Sequence, residues 1–242
     1  MSSPALDILA IAAHRDDVEQ TCGGTLLKMA QRGYRTGILD LTRGEMGTRG
    51  TAQDREREAA EAARILRVSW RDVLDLPDGA VENTFANRVK VATVICAQRP
   101  RVVILPYWKG RHPDHYTAST LGYEACFIAG LAKLSVEGNE TGPHRPFKII
   151  YATLYYDVRP TFVVDITEQF EARLESILAY KSQFSDQDAG SKDFPAHDEI
   201  RDRIHAMARF YGLLAGVKYA EPFFQKEVGL MDDLLDIPVK SI

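Results

Sequence analysis

Two short stretches of the chain concentrate the side chains that can do chemistry. Ala13-His14-Arg15-Asp16-Asp17 and Arg111-His112-Pro113-Asp114-His115 hold three of the six histidines, together with Asp16, Asp17 and Asp114. A single His beside an Asp is usually a solvated loop. Two such windows, each following an apolar run, point to a site. Imidazole and carboxylate form a good shell for zinc, which in catalytic sites takes about three protein ligands and keeps a position for water. His14, Asp17 and His115 can supply that set, leaving Asp16 and His112 for acid–base work. Bound zinc lowers the pKa of water to about 7. A carboxylate such as Asp16 can take the water's proton, and a charged His112 can stabilise an oxyanion or protonate a leaving amine. Asp114 is expected to hold His112 in that charged form. The chemistry implied is hydrolysis of an amide or ester.

The elements around these windows read as alternating strands and helices. Residues 6–13 are nearly all apolar and read as a buried strand. A helix follows over 18–32 with Gly33 as its stop. A second strand spans 36–41, and residues 42–51 form a glycine-rich loop. A helix is predicted over 54–66, a weak strand over 73–76, a helix over 85–98 and a strand over 102–107. A helix follows over 116–131, then a loop over 137–146 and strands over 148–156 and 161–166. An amphipathic helix covers 167–184, a polar loop 185–196 and a last helix 198–214. The aromatic tail 216–228 reads as docked on the body.

This alternation predicts an α/β fold: a Rossmann-like, mostly parallel sheet with helices on both faces and extra C-terminal strands and helices, in a single domain over 1–242. The late strand pair is expected at one edge of the sheet. Ligands of open α/β sheets bind beyond the carboxyl ends of the strands, where the strand order reverses. In the common order 3-2-1-4, the first and fourth strands flank that crevice, so the two windows can face each other.

Composition closes off other classes. With 242 residues, 45% hydrophobic and 26% charged, the chain is globular in type and can bury a core without staples. Thirty basic against 34 acidic side chains give a net charge of −4, without the basic field that nucleic-acid binding needs. Cys22, Cys96 and Cys126 lie far apart and fit buried thiols in a reducing compartment, so a cytoplasmic protein is expected. Neither a signal peptide nor a membrane span is legible, so no membrane partner is expected. A nucleotide-binding module is disfavoured, because His14-Arg15-Asp16-Asp17 stands where a glycine-rich phosphate loop would be.

The paired motifs His14-x-Asp16-Asp17 and His112-Pro113-Asp114-His115 resemble the LmbE-like, N-acetylglucosaminyl-phosphatidylinositol de-N-acetylase superfamily of zinc deacetylases. Residues 42–48 look like its glycine-rich loop, and Leu76-Pro77-Asp78 like the motif that follows. Residues 176–184 and 216–224 are similar to the subfamily that removes acetate from N-acetylglucosaminyl malate in bacillithiol biosynthesis. The resemblance implies Zn2+ on His14, Asp17 and His115, with Asp16 as general base. It implies His112, oriented by Asp114, as oxyanion stabiliser and acid. A malate dianion needs fixed positive charge. Arg55 matches a family arginine, Tyr211 resembles a family tyrosine, and Arg43, Arg49, Lys109 and Arg111 are candidates by position. Arg15 stands where the commonest form of the motif has proline, and it is expected to put a cation near the pocket mouth. Within the same superfamily the substrate could instead be an inositol glycoside, a chitooligosaccharide or a secondary-metabolite amide. The resemblance also suggests a homo-oligomer, in related enzymes a hexamer.

Overall fold

The computed structural model describes residues 5–133, 142–153, 157–184 and 197–237. Strands β1 (Ile8–Ala12), β2 (Thr36–Asp40), β3 (Trp70–Val73), β4 (Val102–Pro106) and β5 (Lys148–Ala152) pair in parallel. Two further strands, β6 (Phe162–Asp165) and β7 (Ala220–Phe224), complete one sheet in the order β3-β2-β1-β4-β5-β7-β6. The order reverses at β1, which pairs with β2 on one side and with β4 on the other, Ile8 lying opposite Val102.

The continuous apolar run of β1 is explained by cover on both faces. Leu9 and Ile11 join one core with Val91 and Ile95 of α4 (Phe85–Gln98) and Leu121 and Ala125 of α5 (Pro113–Ala129). Ile8, Ala10 and Ala12 join the opposite core with Val18 of α1 (Asp17–Thr21), Cys22 and Leu26 of α2 (Gly23–Gln31). This is the period-2 alternation of a strand, hidden in the sequence because both faces are buried. A third cluster joins α3 (Ala52–Ile65), α6 (Phe170–Leu178) and α8 (His197–Ala215) through Ala59, Ala62, Phe170, Ile177 and Ile204. Helix α3 opens on a reciprocal capping box between Thr51 and Asp54.

Several expectations need correction. The helix expected over 18–32 breaks at Cys22 (φ −145°) into α1 and α2. The break gives α2 its own N-terminus, where the N–H groups of Gly24 and Thr25 donate to the buried Glu221 carboxylate at 2.8 and 2.7 Å. A Cβ on Gly24 would come within 3.0 Å of Glu221 Oε1 and of Ile166, so glycine permits the approach. The weak strand expected over 73–76 lies earlier, at Trp70–Val73, because its pattern is masked by the charged Arg71. The helix expected from residue 116 starts at Pro113. The helix over 167–184 divides into α6 and α7 (Lys181–Phe184). The late strands do not pair with each other: β7, read from sequence only as a docked tail, inserts between β5 and β6, antiparallel to both. The loop over 185–196, residues 137–141 of the predicted loop and the end of the strand at 154–156 lie outside the described residues. Cys22, Cys96 and Cys126 are buried free thiols. Among the described residues no helix is long and apolar enough to cross a membrane.

Candidate active site

Adjacent β1 and β4 release their following loops at the same edge of the sheet, and this brings the two His/Asp windows together. In the first loop Asp16 stands just before α1, its side chain free of any capping bond, and Asp17 is the first residue of the helix. In the second, His112 caps α5: its Nδ1 accepts a hydrogen bond from the Asp114 N–H at 3.2 Å. Pro113 occupies the first helical position, where its missing N–H costs nothing.

Three side chains converge. His14 Nδ1 lies 3.2 Å from His115 Nε2 and 3.5 Å from Asp17 Oδ2, and His115 Nε2 lies 3.2 Å from Asp17 Oδ1. Zinc–nitrogen and zinc–oxygen bonds of about 2.0–2.1 Å place the corners of a tetrahedron about 3.3–3.4 Å apart. The spacing of His14, Asp17 and His115 therefore fits a divalent metal ion. His112 brings a further ring nitrogen, the set His14, His112 and His115 having donor atoms within 4.8 Å of one another.

The opposite nitrogen of His14 is also engaged. His14 Nε2 lies 3.1 Å from Asp78 Oδ1 and 3.3 Å from Asp114 Oδ2. A metal-binding imidazole whose far N–H donates to a carboxylate is a recurrent arrangement that fixes ring orientation and raises ligand basicity. Asp78 in turn accepts from the Met46 N–H at 2.8 Å, tying the glycine-rich loop to His14. The Asp114 carboxylate accepts from the N–H groups of Gly79 at 2.8 Å and Val81 at 3.2 Å. This corrects one expectation: the Asp114 side chain faces His14 and the Gly79–Val81 turn, and only its backbone N–H contacts His112. Because Nδ1 of His112 accepts a hydrogen bond, the neutral ring carries its proton on Nε2.

The carboxylates and imidazoles at the convergence point stabilise one another's charged forms. Burial opposes charge on His14, yet the carboxylates of Asp17, Asp78 and Asp16 reverse this and raise its pKa to about 11. Burial likewise pushes Asp17 up, but His115 and His14 outweigh it and hold the carboxyl well below the usual range. His115 is raised by Asp17 against its own burial. His112 is lowered by burial and by the imidazoles of His14 and His115, which does not favour its charged form.

The cleft above this cluster has a volume of about 450 Å³ and is lined by Asp16, Gln20, Met46, Arg55, Arg111, His112 and Gln183 among others. Asp16 accepts from Gln20 Nε2 at 3.1 Å and from Arg55 Nη2 at 3.3 Å. Arg55 is only 5% exposed, and it passes so close to Gly44 that a Cβ there would meet Nη2 at 2.8 Å. Gly44 has φ +71°, so both space and backbone demand glycine. Arg111 is exposed at the cleft.

Other expected contacts lie elsewhere. Arg43 pairs with Asp75 on the exposed surface at 2.7 Å and does not line the cleft. Tyr211 is buried and edge-on to Phe210, also outside the cleft lining. Lys109 borders a small neighbouring cavity. Arg49 contributes its backbone carbonyl to Gln183. Arg15 does not reach the pocket mouth: it is 6% exposed and lines a separate cavity of about 220 Å³ with Asp40, Glu56, Arg71 and Asp72. Sequence reading missed Asp78, Gln20 and Gln183. Asp78 could have been found from Leu76-Pro77-Asp78; nothing in the sequence marked the two glutamines.

A reversing parallel sheet with a His/Asp cluster at its carboxyl edge, and a carboxylate beside that cluster, is an arrangement suited to holding a divalent ion and activating water. Residues 9–126 match the family described as PIG-L, GlcNAc-PI de-N-acetylase. Diacetylchitobiose deacetylase of Thermococcus kodakarensis is 31% identical over 225 residues, covering 88% of this chain and 80% of that protein. The crystal structure of the conserved protein TT1542 from Thermus thermophilus superposes with a TM-score of 0.84 at 40% identity, covering 95% of this chain and 98% of that one. N,N'-diacetylchitobiose deacetylase from Pyrococcus horikoshii gives a TM-score of 0.79 at 27% identity, over 89% and 82% of the two chains. The chain belongs to the PIG-L family of LmbE-like de-N-acetylases and is a hydrolytic N-deacetylase.

Proposed function

We propose that the protein removes acetate from an N-acetylglucosamine conjugate, that the conjugate is N-acetylglucosaminyl malate, and that the metal is zinc. His14, Asp17 and His115 would hold the ion. When bound it supplies Lewis acidity and a water of lowered pKa. Asp16, held by Gln20 and Arg55, accepts the proton of the attacking water. The neutral His112, with its proton on Nε2, donates to the oxygen that gains charge as the amide carbonyl is attacked. As the C–N bond breaks, the proton held by Asp16 passes to the departing nitrogen, leaving acetate and a free amine.

The observation that carries the malate reading is Arg111, a cation exposed at the side of the cleft, whereas Arg55 on its wall already pairs with Asp16. A dicarboxylate can use the charge of Arg111; a neutral disaccharide does not need it. The similarity to diacetylchitobiose deacetylases favours a second reading, in which the substrate is a neutral chitooligosaccharide. Acetate release from N-acetylglucosaminyl malate, diacetylchitobiose and N-acetylglucosamine separates the two. The malate conjugate should be turned over fastest, and Arg111→Ala should raise its KM while leaving the neutral substrates unchanged. Faster turnover of diacetylchitobiose by the parent protein would overturn the malate reading and keep the deacetylase.

A further inference from the structure

The turn that carries His14, Asp16 and Asp17 is gripped from behind by a buried polar cluster that the proposed chemistry does not use. Its centre is the main-chain carbonyl of Arg15, in the peptide that joins Arg15 to Asp16. That oxygen accepts from Arg71 Nη2 and from the Tyr180 hydroxyl. Neither donor is free to wander. Arg71, on β3, is held by Asp40 at the end of β2 through Nε at 2.8 Å and Nη2 at 3.1 Å. Its Nη1 reaches Glu19 of α1 at 2.7 Å and the carbonyl of Ala59 on α3 at 3.2 Å. Tyr180, between α6 and α7, is fully buried, and its hydroxyl also lies 3.0 Å from Glu19 Oε1 and 3.1 Å from Arg71 Nη2. Two strands, two helices and the junction between α6 and α7 thus hold the two donors of one carbonyl oxygen. A peptide plane is rigid, so fixing this oxygen fixes the direction in which the chain leaves Arg15, next to His14, and enters Asp16.

We propose that Tyr180 and Arg71 are positioning residues, which lock the Arg15–Asp16 peptide and so aim His14 and Asp17 at the metal position and Asp16 at the water. The kinetic part of this inference rests on the deacetylase reading; the metal-binding part does not. It also accounts for the side chain of Arg15 turning away from the cleft, since the turn uses the residue's carbonyl and not its guanidinium.

The test uses the full chain loaded with cobalt(II), whose visible absorption reports ligand geometry. Tyr180→Phe removes the hydroxyl and keeps the ring. Partners that orient metal ligands are worth about 10–100-fold in affinity or activity. Tyr180→Phe should therefore shift the cobalt band, weaken cobalt about tenfold in chelator competition and lower kcat about tenfold, with KM changed less than twofold. Ile177→Val, in the same core but without a link to Arg15, serves as the stability control and should leave band, affinity and kcat unchanged. Arg71→Lys keeps a cation for Asp40 but loses the fork to Arg15, and it should change the band in the same sense if Tyr180→Phe proves too unstable to purify. A Tyr180→Phe protein with the parent's band, affinity and kcat would overturn the proposal, as would an equal shift in Ile177→Val. If the parent releases no acetate from any N-acetylglucosamine conjugate, the deacetylase reading fails while the cobalt measurements still decide the positioning role.

Discussion

Asp16 faces the cleft without joining the three converging donors, and Gln20 and Arg55 hold it there. General bases contribute about 10²–10⁴-fold. Asp16→Asn should lower kcat for acetate release by about that factor while elemental analysis shows parental metal content. A variant within threefold of the parent would remove Asp16 from proton transfer. His115→Ala should instead lose the ion itself, seen as metal content falling after dialysis against a weak chelator. Full occupancy in that variant would break the ligand set. Asp114→Ala addresses the partner of the far nitrogen of His14. Its expected effect is metal affinity weakened about 10–100-fold by competition titration, with unchanged affinity counting against the contact as a ligand-orienting one.

Element by element, the strongest test lies at β7. Glu221 is fully buried there, accepts from Gly24, Thr25 and the Thr25 hydroxyl, and pairs with the buried Arg173 at 3.0 Å. Breaking a buried pair by neutralising one partner costs about 3–5 kcal/mol. Glu221→Gln should lower the free energy of urea unfolding by that order, and a loss below about 1 kcal/mol would show that the amide replaces the carboxylate without strain. The same strand marks where sequence reading stopped. Pro222 sits opposite Val163 inside the sheet, and proline in a run argues against an interior strand. Strands β1, β2 and β4 and the two His/Asp windows were legible because a doubly covered strand is a plain apolar run and because paired histidines after such runs are rare. The break at Cys22 was not, since it depends on Glu221, almost two hundred residues away. Arg15 was misjudged for a similar reason: local sequence cannot tell which side of a turn a side chain leaves from, and here Asp40 and Arg71 occupy that side.

For the whole molecule, the apolar surface matters most. Phe127, Phe147, Val228, Leu230 and Met231 share a groove of about 770 Å³, and Phe147, Val228 and Leu230 are almost fully exposed. Exposed apolar patches of this kind usually mark contact surfaces. A homo-oligomer is the reading proposed for it, and light scattering should give a mass that is a multiple of 27.1 kDa. A monomer at micromolar concentration would refute it. The meeting of the two His/Asp windows has a separate consequence, one of timing. His14 and His115 stand 101 positions apart and come together only once β1 and β4 have paired. The ion therefore cannot nucleate the chain: it binds what folding has already closed. Added metal should leave the refolding rate nearly untouched and slow unfolding, so that its whole effect appears as a longer native lifetime.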